Sequence, residues 1–223
     1  MKFEKTEVWG FKHALRGMRN PLESWDKSDS EVTDYQVSDS QVAERIAVGE
    51  SDLELARRLI KAGNEHRKFM RQIFVSVDIT APLYWWKEFD TYKVGTVSNS
   101  TSTMHKLAST PITKECFEMD DYENIEICGF QDIWNVLLTR LEILRRSYNE
   151  TKDKRCWKEL IRLLPESWLQ KRTVTMNYEN LLAMCSKGQR RFHKLTEWSK
   201  SFIDWARSLP YAQELIFVDE VKN

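Results

Sequence analysis

The sequence lacks a segment long enough to cross a membrane and an apolar leader. No run approaches the roughly 20 apolar residues that a spanning helix needs, and the opening residues, MKFEKTEVWG, contain no apolar stretch. Net charge is also missing, because 34 Lys and Arg balance 34 Asp and Glu. Such a chain is not drawn to polyanions by its overall field. We therefore expect a cytoplasmic protein that binds neither nucleic acid nor membrane.

Cysteine and glycine are both scarce. Cys116, Cys128, Cys156 and Cys185 lie far apart without a CxxC pair, which disfavours a zinc site or a small disulfide scaffold and favours buried free thiols. Seven glycines accompany nine tryptophans, which indicates a tightly packed fold with few flexible loops. Large aromatic side chains also serve as anchors at subunit interfaces. At 223 residues, we expect one domain over 1–223.

Residue patterns predict the elements of the N-terminal part. Lys2 to Phe11 mixes β-branched, aromatic and charged residues, as an edge strand does. Ser24 to Ser40 is rich in Ser and Asp without periodicity and is predicted to be an exposed loop. A helix is predicted from an N-cap at Ser51 to a left-handed turn at Gly63. From Ile73 onward, apolar residues alternate with polar ones, which predicts a half-buried strand.

The remainder of the chain is mainly helical in its spacing. Pro82 starts a short aromatic helix that ends near Asp90. The pattern predicts a helical hairpin, then a strand, then two helices separated by Gly188, at Gln131–Tyr148, Asp153–Leu164, Lys171–Met176, Tyr178–Lys187 and Arg191–Leu209. A few strands between helical runs indicate an α+β architecture.

The segment Asp90 to Lys106, DTYKVGTVSNSTSTMHK, is the strongest candidate for a functional surface. Six Ser or Thr residues lie between Thr96 and Thr103, with Lys93 just before them. Hydroxyls, backbone amides and an ammonium suit an anionic or acceptor-rich ligand such as a nucleotide. The alternative is a solvated Ser/Thr-rich loop, which composition alone favours. The position of the segment directly after an aromatic helix reduces, but does not remove, this preference for a solvated loop over a ligand-binding segment.

Two other features have the chemistry of binding groups, a pair of tryptophans and a basic cluster. Trp85 and Trp86 can stack a flat ring, but neighbouring residues of a helix point in different directions, which favours core packing for Trp86. Basic residues around Gly188 can clamp a phosphate, and an ordinary basic helix surface is an equal alternative; they are Lys187, Arg190, Arg191, His193 and Lys194. His193 and Glu197 alone are too few ligands, so no metal site is predicted.

Four stretches, in this order, resemble a known family. They are LARRLIKAGNEHRKFMRQIFVSV, APLYWWKEFDTYKVGTVSNSTSTMHKL, LLPESWLQKRTVTMNYENLL and QRRFHKLTEW, and they extend from about Leu55 to Arg207. The order resembles the flavin-dependent thymidylate synthases, in which a helix ending in Gly, a strand and a short helix precede an R-H-R signature, an L-P loop, a second strand and a helical arginine. The resemblance implies a helix-rich α+β fold, with a small antiparallel sheet flanked by helices.

The resemblance also implies an activity. In this family a reduced FAD passes hydride to a methylene unit taken from folate, with NADPH as reductant, and dUMP becomes dTMP. A homotetramer holds the flavin and the pyrimidine nucleotide where subunits meet. By resemblance, we expect FAD as cofactor, folate and NADPH as co-substrates, and dUMP or a related pyrimidine nucleotide as substrate.

The resemblance assigns candidate residues position by position. Flavin-binding positions correspond to Thr91, Tyr92, Lys93, Ser98 and Asn99. Substrate-binding positions correspond to Glu88, Thr101, Thr103, Arg162, Gln189 and Arg190. Arg190 matches the arginine that activates the substrate, with Gln189 and Arg191 as alternatives around Gly188, and Arg162 matches an arginine that binds phosphate.

The chain departs from the family pattern within the signature itself. Thr91, Tyr92 and Lys93 stand where the family has R-H-R, and Thr103 stands where the signature ends in Arg. Only Lys93 keeps a positive charge, so most of the charge that would hold a flavin diphosphate is replaced. Two alternatives follow: a non-catalytic nucleotide- or flavin-binding protein on the same scaffold, and an oligomeric interaction protein that uses its Trp-rich faces.

Overall fold

The computed structural model describes residues 1–38, 41–119, 130–192 and 194–220, except the side chains at 34–38, 41–44, 130–132 and 190–192. The chain divides into two compact units. The first contains Met1–Lys2, Ile79–Thr91 and Asn99–Arg172, and the second contains Phe3–Asp78, Tyr92–Ser98 and the residues from Thr173 onward.

The second unit starts at Phe3, within β1 (Lys2–Trp9), and continues with α1 (Phe11–Arg19). The predicted strand is therefore confirmed but ends before Phe11. The predicted loop at Ser24–Ser40 is wrong over much of its length. Glu31–Ser38 forms β2, which pairs antiparallel with β3 (Gln41–Ala47) in a two-stranded sheet, with Glu31 opposite Ala47. Pairing with β3 supplies hydrogen-bond partners for backbone N–H and C=O groups of β2, and the residue composition of this stretch alone does not reveal that pairing.

Helix α2 (Glu50–Lys61) begins one residue before the predicted cap, because Gly49 is the N-cap. The Ser51 and Asp52 amides instead donate to the Asp29 carboxylate at 2.9 and 3.2 Å. Asp52 is fully buried and accepts the Arg19 Nε at 2.6 Å. Gly63 adopts φ +105° after the helix, which confirms the predicted left-handed turn.

Strand β4 (Phe74–Pro82) confirms the predicted alternation. Val75, Val77, Ile79 and Ala81 are all at most 1% exposed, while the residues between them are half-buried. Helix α3 (Leu83–Phe89) follows in the first unit, with Pro82 as its N-cap. Trp85 and Trp86 of α3 are both buried and pack edge to face at 4.8 Å, so neither ring is open for stacking.

The first unit continues with β5 (Val97–Ser100, from Asn99), α4 (Thr103–Lys106), α5 (Phe130–Thr151) and α6 (Lys154–Arg162). Helices α5 and α6 confirm the predicted hairpin. Its core consists of six buried side chains: Leu107, Ile112, Phe117, Leu141, Leu144 and Leu160. Ile133, near the start of α5, is 66% exposed. The apolar face of α5 is therefore buried in its middle but not at Ile133.

The C-terminal part has β6 (Leu169–Asn177), α7 (Tyr178–Met184), α8 (Lys187–Phe192), a π-helical turn (Glu197–Phe202), α9 (Ile203–Arg207) and α10 (Ala212–Leu215). Strand β6 is confirmed. Gly188 does not separate two helices as predicted, because it lies inside α8, and the break falls at Cys185 and Ser186. The long helix predicted from Arg191 is divided into shorter pieces.

The four strands of the main sheet follow the order β1-β4-β6-β5. Among the described residues, helical elements outnumber strands, and the fold is a helix-rich α+β fold with a small antiparallel sheet, as predicted. Cys116, Cys156 and Cys185 are free thiols, and Cys128 lies outside the described residues. Among the described helices, none has both the length and the apolar character to cross a bilayer.

Candidate functional site

The candidate segment Asp90–Lys106 is ordered into a turn, a strand and a short helix. Tyr92 to Ser98 belongs to the second unit, while the residues on either side belong to the first. Ser102 caps α4 by accepting the His105 amide at 3.2 Å. The segment therefore has secondary structure, and the residues from Val97 to Thr101 within it are exposed.

In the second unit, the turn at Val94–Gly95 is fixed to the start of α7. The Asn180 Nδ2 group donates to the Val94 carbonyl at 2.6 Å. Gly95 has φ +76°, and a Cβ at this position would lie 2.8 Å from the Asn177 Nδ2 atom. Both the backbone angle and the close approach require glycine here.

Asn177 and Asn180 are held in place by a reciprocal cap. Asn177 Oδ1 accepts the Asn180 amide at 3.0 Å, and Asn180 Oδ1 accepts the Asn177 amide at 3.1 Å. Because its oxygen is engaged in the cap, the Asn180 side chain turns its NH₂ group toward Val94. The end of β6 thereby sets the position of the turn that follows Lys93.

Two side chains of the turn carry groups that suit a ligand, the aromatic ring of Tyr92 and the hydroxyl of Thr96. The half-buried Tyr92 ring stacks on Trp198 at 5.7 Å. The Thr96 hydroxyl oxygen is buried without a hydrogen-bond partner among the described residues. A buried hydroxyl without a partner calls for one, in the form of water or a ligand.

A cavity of about 370 Å³ lies beside this turn, entirely within the second unit. Val94, Asn177 and Asn180 contribute to its wall, together with Asn64, Arg67, Arg71, Glu179 and Ala183. Glu179 accepts the Arg67 Nε at 3.1 Å and also binds the Arg71 Nε. Two arginines therefore share one carboxylate at the rim of the cavity.

These three groups are charged at neutral pH. Burial by itself raises the pKa of Glu179, but hydrogen bonds from Arg71 and Arg67 outweigh burial and lower that pKa below its ordinary value. The same contact with Glu179 raises the pKa of Arg71. The cluster carries one excess positive charge, and within the described residues the terminal nitrogens of Arg67 form no hydrogen bond. Such a donor set fits an anionic, acceptor-rich group such as a phosphate.

In the first unit, Arg172 of β6 lies against α3. Its guanidinium stacks on the Trp86 ring at 4.2 Å, its Nη1 donates to Asp90 Oδ1 at 2.8 Å, and its Nε donates to Gln170 Oε1 at 3.0 Å. Only 14% of its side chain is exposed. Three contacts at different angles hold this cation next to the start of the candidate segment.

Gln170 extends these contacts to two predicted substrate-binding residues. Its Nε2 donates to the Thr101 carbonyl at 3.0 Å and to the Thr103 hydroxyl at 3.4 Å. Thr101 also donates its hydroxyl to the Lys171 carbonyl at 3.1 Å. The structure therefore brings Thr101 and Thr103 together beside β6. Both threonines already form hydrogen bonds with residues of that strand.

The other predicted residues of the first unit are less gathered. Thr91 donates its hydroxyl to the Glu88 carbonyl at 2.8 Å, so that hydroxyl is already engaged. Asn99 is exposed on β5. Arg162 ends α6 with 61% of its side chain exposed and is 3.4 Å from Glu159. None of these contacts joins Arg162 to the threonine pair.

In the second unit, Lys93 and Ser98 are exposed, and Lys93 has no ion pair among the described residues. Gln189 is half-buried in α8, where its backbone amide donates to the Ser186 hydroxyl at 3.4 Å. Arg190 belongs to the same helix. The side chains of Arg190 and Arg191, like the whole of His193, lie outside the described part of the structure. The described residues contain no cluster of His, Cys, Asp or Glu able to hold a metal ion.

Three cations near the segment were missed by the sequence analysis: Arg67, Arg71 and Arg172. Arg71 lies in a 3-10 helix (Lys68–Gln72) and Arg67 directly precedes it, so the spacing of the two residues carries no helical signal. Their common partner, Glu179, lies more than 100 residues away in sequence. Arg172 lies in a predicted strand, but the sequence does not indicate that it stacks on Trp86.

No protein-family model matches the chain, and no curated protein matches it in sequence. Solved structures match it in fold. A flavin-dependent thymidylate synthase ThyX from Helicobacter pylori, complexed with FAD and dUMP, is 17% identical with a TM-score of 0.65, and the match covers 100% of both chains. A second ThyX structure from the same organism, also with FAD and dUMP, is 16% identical with a TM-score of 0.64 and the same coverage.

A third solved structure is the UMP/dUMP methylase PolB from Streptomyces cacaoi, bound with 5-Br dUMP. It is 14% identical, with a TM-score of 0.57, and the match covers 97% of this chain and 95% of that one. At these identities the likeness establishes the fold. The chain thus shares the fold of ThyX along its full length and that of a related methylase over 97% of its length.

Proposed function

We propose that this chain is a divergent flavin-dependent thymidylate synthase-like protein. It binds FAD and methylates dUMP or a related pyrimidine nucleotide, with a folate methylene donor and NADPH as reductant, in a cytoplasmic homotetramer. The observation that carries the proposal is the fold shared over the whole chain with structures crystallised with FAD and dUMP. Fold alone does not fix function, so the residues of the site must supply the rest of the argument.

The donor set beside the Val94–Gly95 turn supports binding of an anion. Lys93 is the one signature position that is positively charged, and Arg67 and Arg71 add a net charge at the neighbouring cavity. We assign flavin contacts to Thr91, Tyr92, Lys93, Ser98 and Asn99. In this assignment, Arg67 and Arg71 take over charge that the family places within its signature.

Substrate binding is assigned to a second set of residues: Glu88, Thr101, Thr103, Arg162, Gln189 and Arg190. Arg162 holds the nucleotide phosphate, and Arg190 polarises the base by donating a hydrogen bond to one of its carbonyl oxygens. Bound flavin supplies the hydride. The protein's part is to hold the nucleotide, exclude water and place a positive charge where negative charge develops on the base.

A non-catalytic binder on the same scaffold is the second candidate. It is favoured by the chemistry at Thr91, whose hydroxyl is already engaged by the Glu88 carbonyl. A neutral, committed hydroxyl contributes no charge at a position where the family uses arginine. This candidate shares the ligand with the first and differs from it in turnover.

The first experiment is the absorbance of the purified protein. The proposal predicts a yellow protein that releases free flavin on denaturation, or a colourless one whose melting temperature rises when FAD is added. A colourless protein that FAD does not stabilise would remove the first candidate and leave the second only as a nucleotide-binding protein. If flavin binds, tritium release from dUMP labelled at C5 separates them, because only turnover replaces that hydrogen.

A further inference from the structure

A second cavity, of about 640 Å³, lies in the second unit and contains none of the predicted site residues. Its wall is formed by the end of α1, the turn Asn20–Leu22, one face of α2 and the turn from Glu65 to Gln72. Protein sites for small molecules usually have volumes of about 300–1,000 Å³. The cavity therefore has the size of a ligand site.

The inner wall of this cavity is apolar. Met18 and Phe69 are 6% and 4% exposed, and Leu55 and Leu59 lie one turn apart on the same face of α2. At the mouth, Leu22 is 82% exposed, although apolar side chains are usually covered. This wall suits the apolar body of a ligand.

The rim carries uncompensated positive charge. Lys27, Arg58 and Lys68 contribute to it, against a single carboxylate from Glu65, which lies 3.5 Å from Lys68. Among the described residues, the Arg58 and Lys27 side chains form no ion pair or hydrogen bond. Two cations therefore remain available above an apolar wall.

A further arginine on the wall does not add to this charge. Arg19 is 4% exposed and is committed to Asp52, Ser51 and the Ser24 carbonyl. Asp52 in turn accepts the hydroxyls of Ser28 and Ser30 at 2.6 and 2.5 Å. These contacts make one side of the cavity rigid and leave recognition of an anion to Arg58 and Lys27.

We propose that this cavity binds a small amphipathic anion, with an apolar or aromatic body against Leu55 and Leu59 and a phosphate or carboxylate head on Arg58 and Lys27. Charge complementarity at the rim and the apolar wall together define this class of ligand. The lining of this cavity shares no residue with the flavin and nucleotide positions of the proposed function. It can exist whether or not that function holds.

The test uses 1-anilinonaphthalene-8-sulfonate, an aromatic anion that fluoresces in apolar surroundings, with the full-length protein. We expect saturable binding that weakens roughly fivefold to tenfold in Arg58→Gln, which removes one charge-assisted contact from an exposed side chain. Leu59→Gln, checked for folding by circular dichroism, should weaken binding through the apolar wall. Lys61→Gln removes a cation from the same helix outside the cavity and should bind as the wild type does.

Competition identifies the body and head of the ligand. Displacement of the dye by 1-naphthyl phosphate supports an aromatic ligand, and displacement by decanoate supports an aliphatic one. Inorganic phosphate should displace it much more weakly than either. The proposal is overturned if Arg58→Gln binds the dye as tightly as Lys61→Gln, if neither organic anion competes, or if inorganic phosphate competes equally well.

Discussion

Glu142 of α5 offers the most quantitative prediction. Its carboxylate accepts two hydrogen bonds from Arg145, at 2.6 and 2.7 Å, one from Arg146 at 3.1 Å and one from the Ile112 amide at 3.1 Å. Arg145 also donates to the Ala108 carbonyl at 3.2 Å. Glu142 thereby fastens to α5 the stretch that follows the candidate segment.

The Arg145 hydrogen bonds are the main reason why the pKa of Glu142 falls from 4.5 to about 2. A difference of about 2.5 between the unfolded and folded pKa corresponds to about 3.4 kcal/mol of stability. The side chains of Glu142 and Arg145 are 18% and 13% exposed, so solvent screening is only partial. We expect Glu142→Gln to lower the free energy of unfolding by about 2 kcal/mol at pH 7.

The pH dependence follows from the sign of this change. Because the folded pKa is depressed, the stabilisation is complete above the unfolded pKa and is lost as the pH falls toward the folded one. At pH 3, about 40% of it should remain, so the gap between wild type and Glu142→Gln should shrink accordingly.

Urea denaturation followed by tryptophan fluorescence at pH 7 and pH 3 measures both values. Glu159→Gln is the matched control: its pair with Arg162, at 3.4 Å, is exposed and should contribute less than about 0.5 kcal/mol. The reasoning would be refuted if Glu142→Gln were as stable as the control at pH 7, or if the gap were unchanged at pH 3.

Three further substitutions, two of them paired with a control substitution, test other parts of the structure. Gly95→Ala should lower the free energy of unfolding by about 1–2 kcal/mol, because residue 95 has a left-handed backbone conformation. Gly188→Ala is the control: it lies inside α8, where a Cβ meets only one side-chain atom at 4.0 Å, and it should be neutral or stabilising. Equal effects of the two substitutions in urea denaturation would contradict this prediction. Asp52→Asn should cost about 3–5 kcal/mol, since it leaves the buried Arg19 guanidinium without its charged partner; a loss below about 1 kcal/mol in the same assay would argue against that pair. Lys93→Ala should weaken FAD binding by about 1–3 kcal/mol in a titration, and Lys158→Ala, an exposed lysine of α6, should not.

Elements with a strong local pattern were predictable from sequence. The alternation after Ile73 gave β4, and the aromatic spacing after Pro82 gave α3, because in both cases neighbouring residues alone determine the buried face. The start of α2 was mistaken for a different reason. The Ser51 amide is capped by Asp29, 22 residues earlier, so the expected local cap was displaced by a partner from another part of the chain.

The candidate site shows the same division. The hydroxyl-rich character of the segment from Thr96 to Thr103 was visible in the sequence, but its charged surroundings were not. Arg67 and Arg71 precede β4, whereas their partner Glu179 follows β6, 112 and 108 residues away in sequence. Cations supplied by distant elements cannot be recognised from a local signature.

FAD binding, the first step of the proposed function, is measured by titrating the flavin-free protein with FAD and following the quenching of flavin fluorescence. We expect saturable binding of one FAD per chain, weakened in Arg67→Gln because that substitution removes a cation from the cavity beside the Val94–Gly95 turn. Arg155→Gln, whose side chain is 92% exposed on α6, should bind FAD as the wild type does. Absence of saturable FAD binding by the wild-type protein would contradict the account.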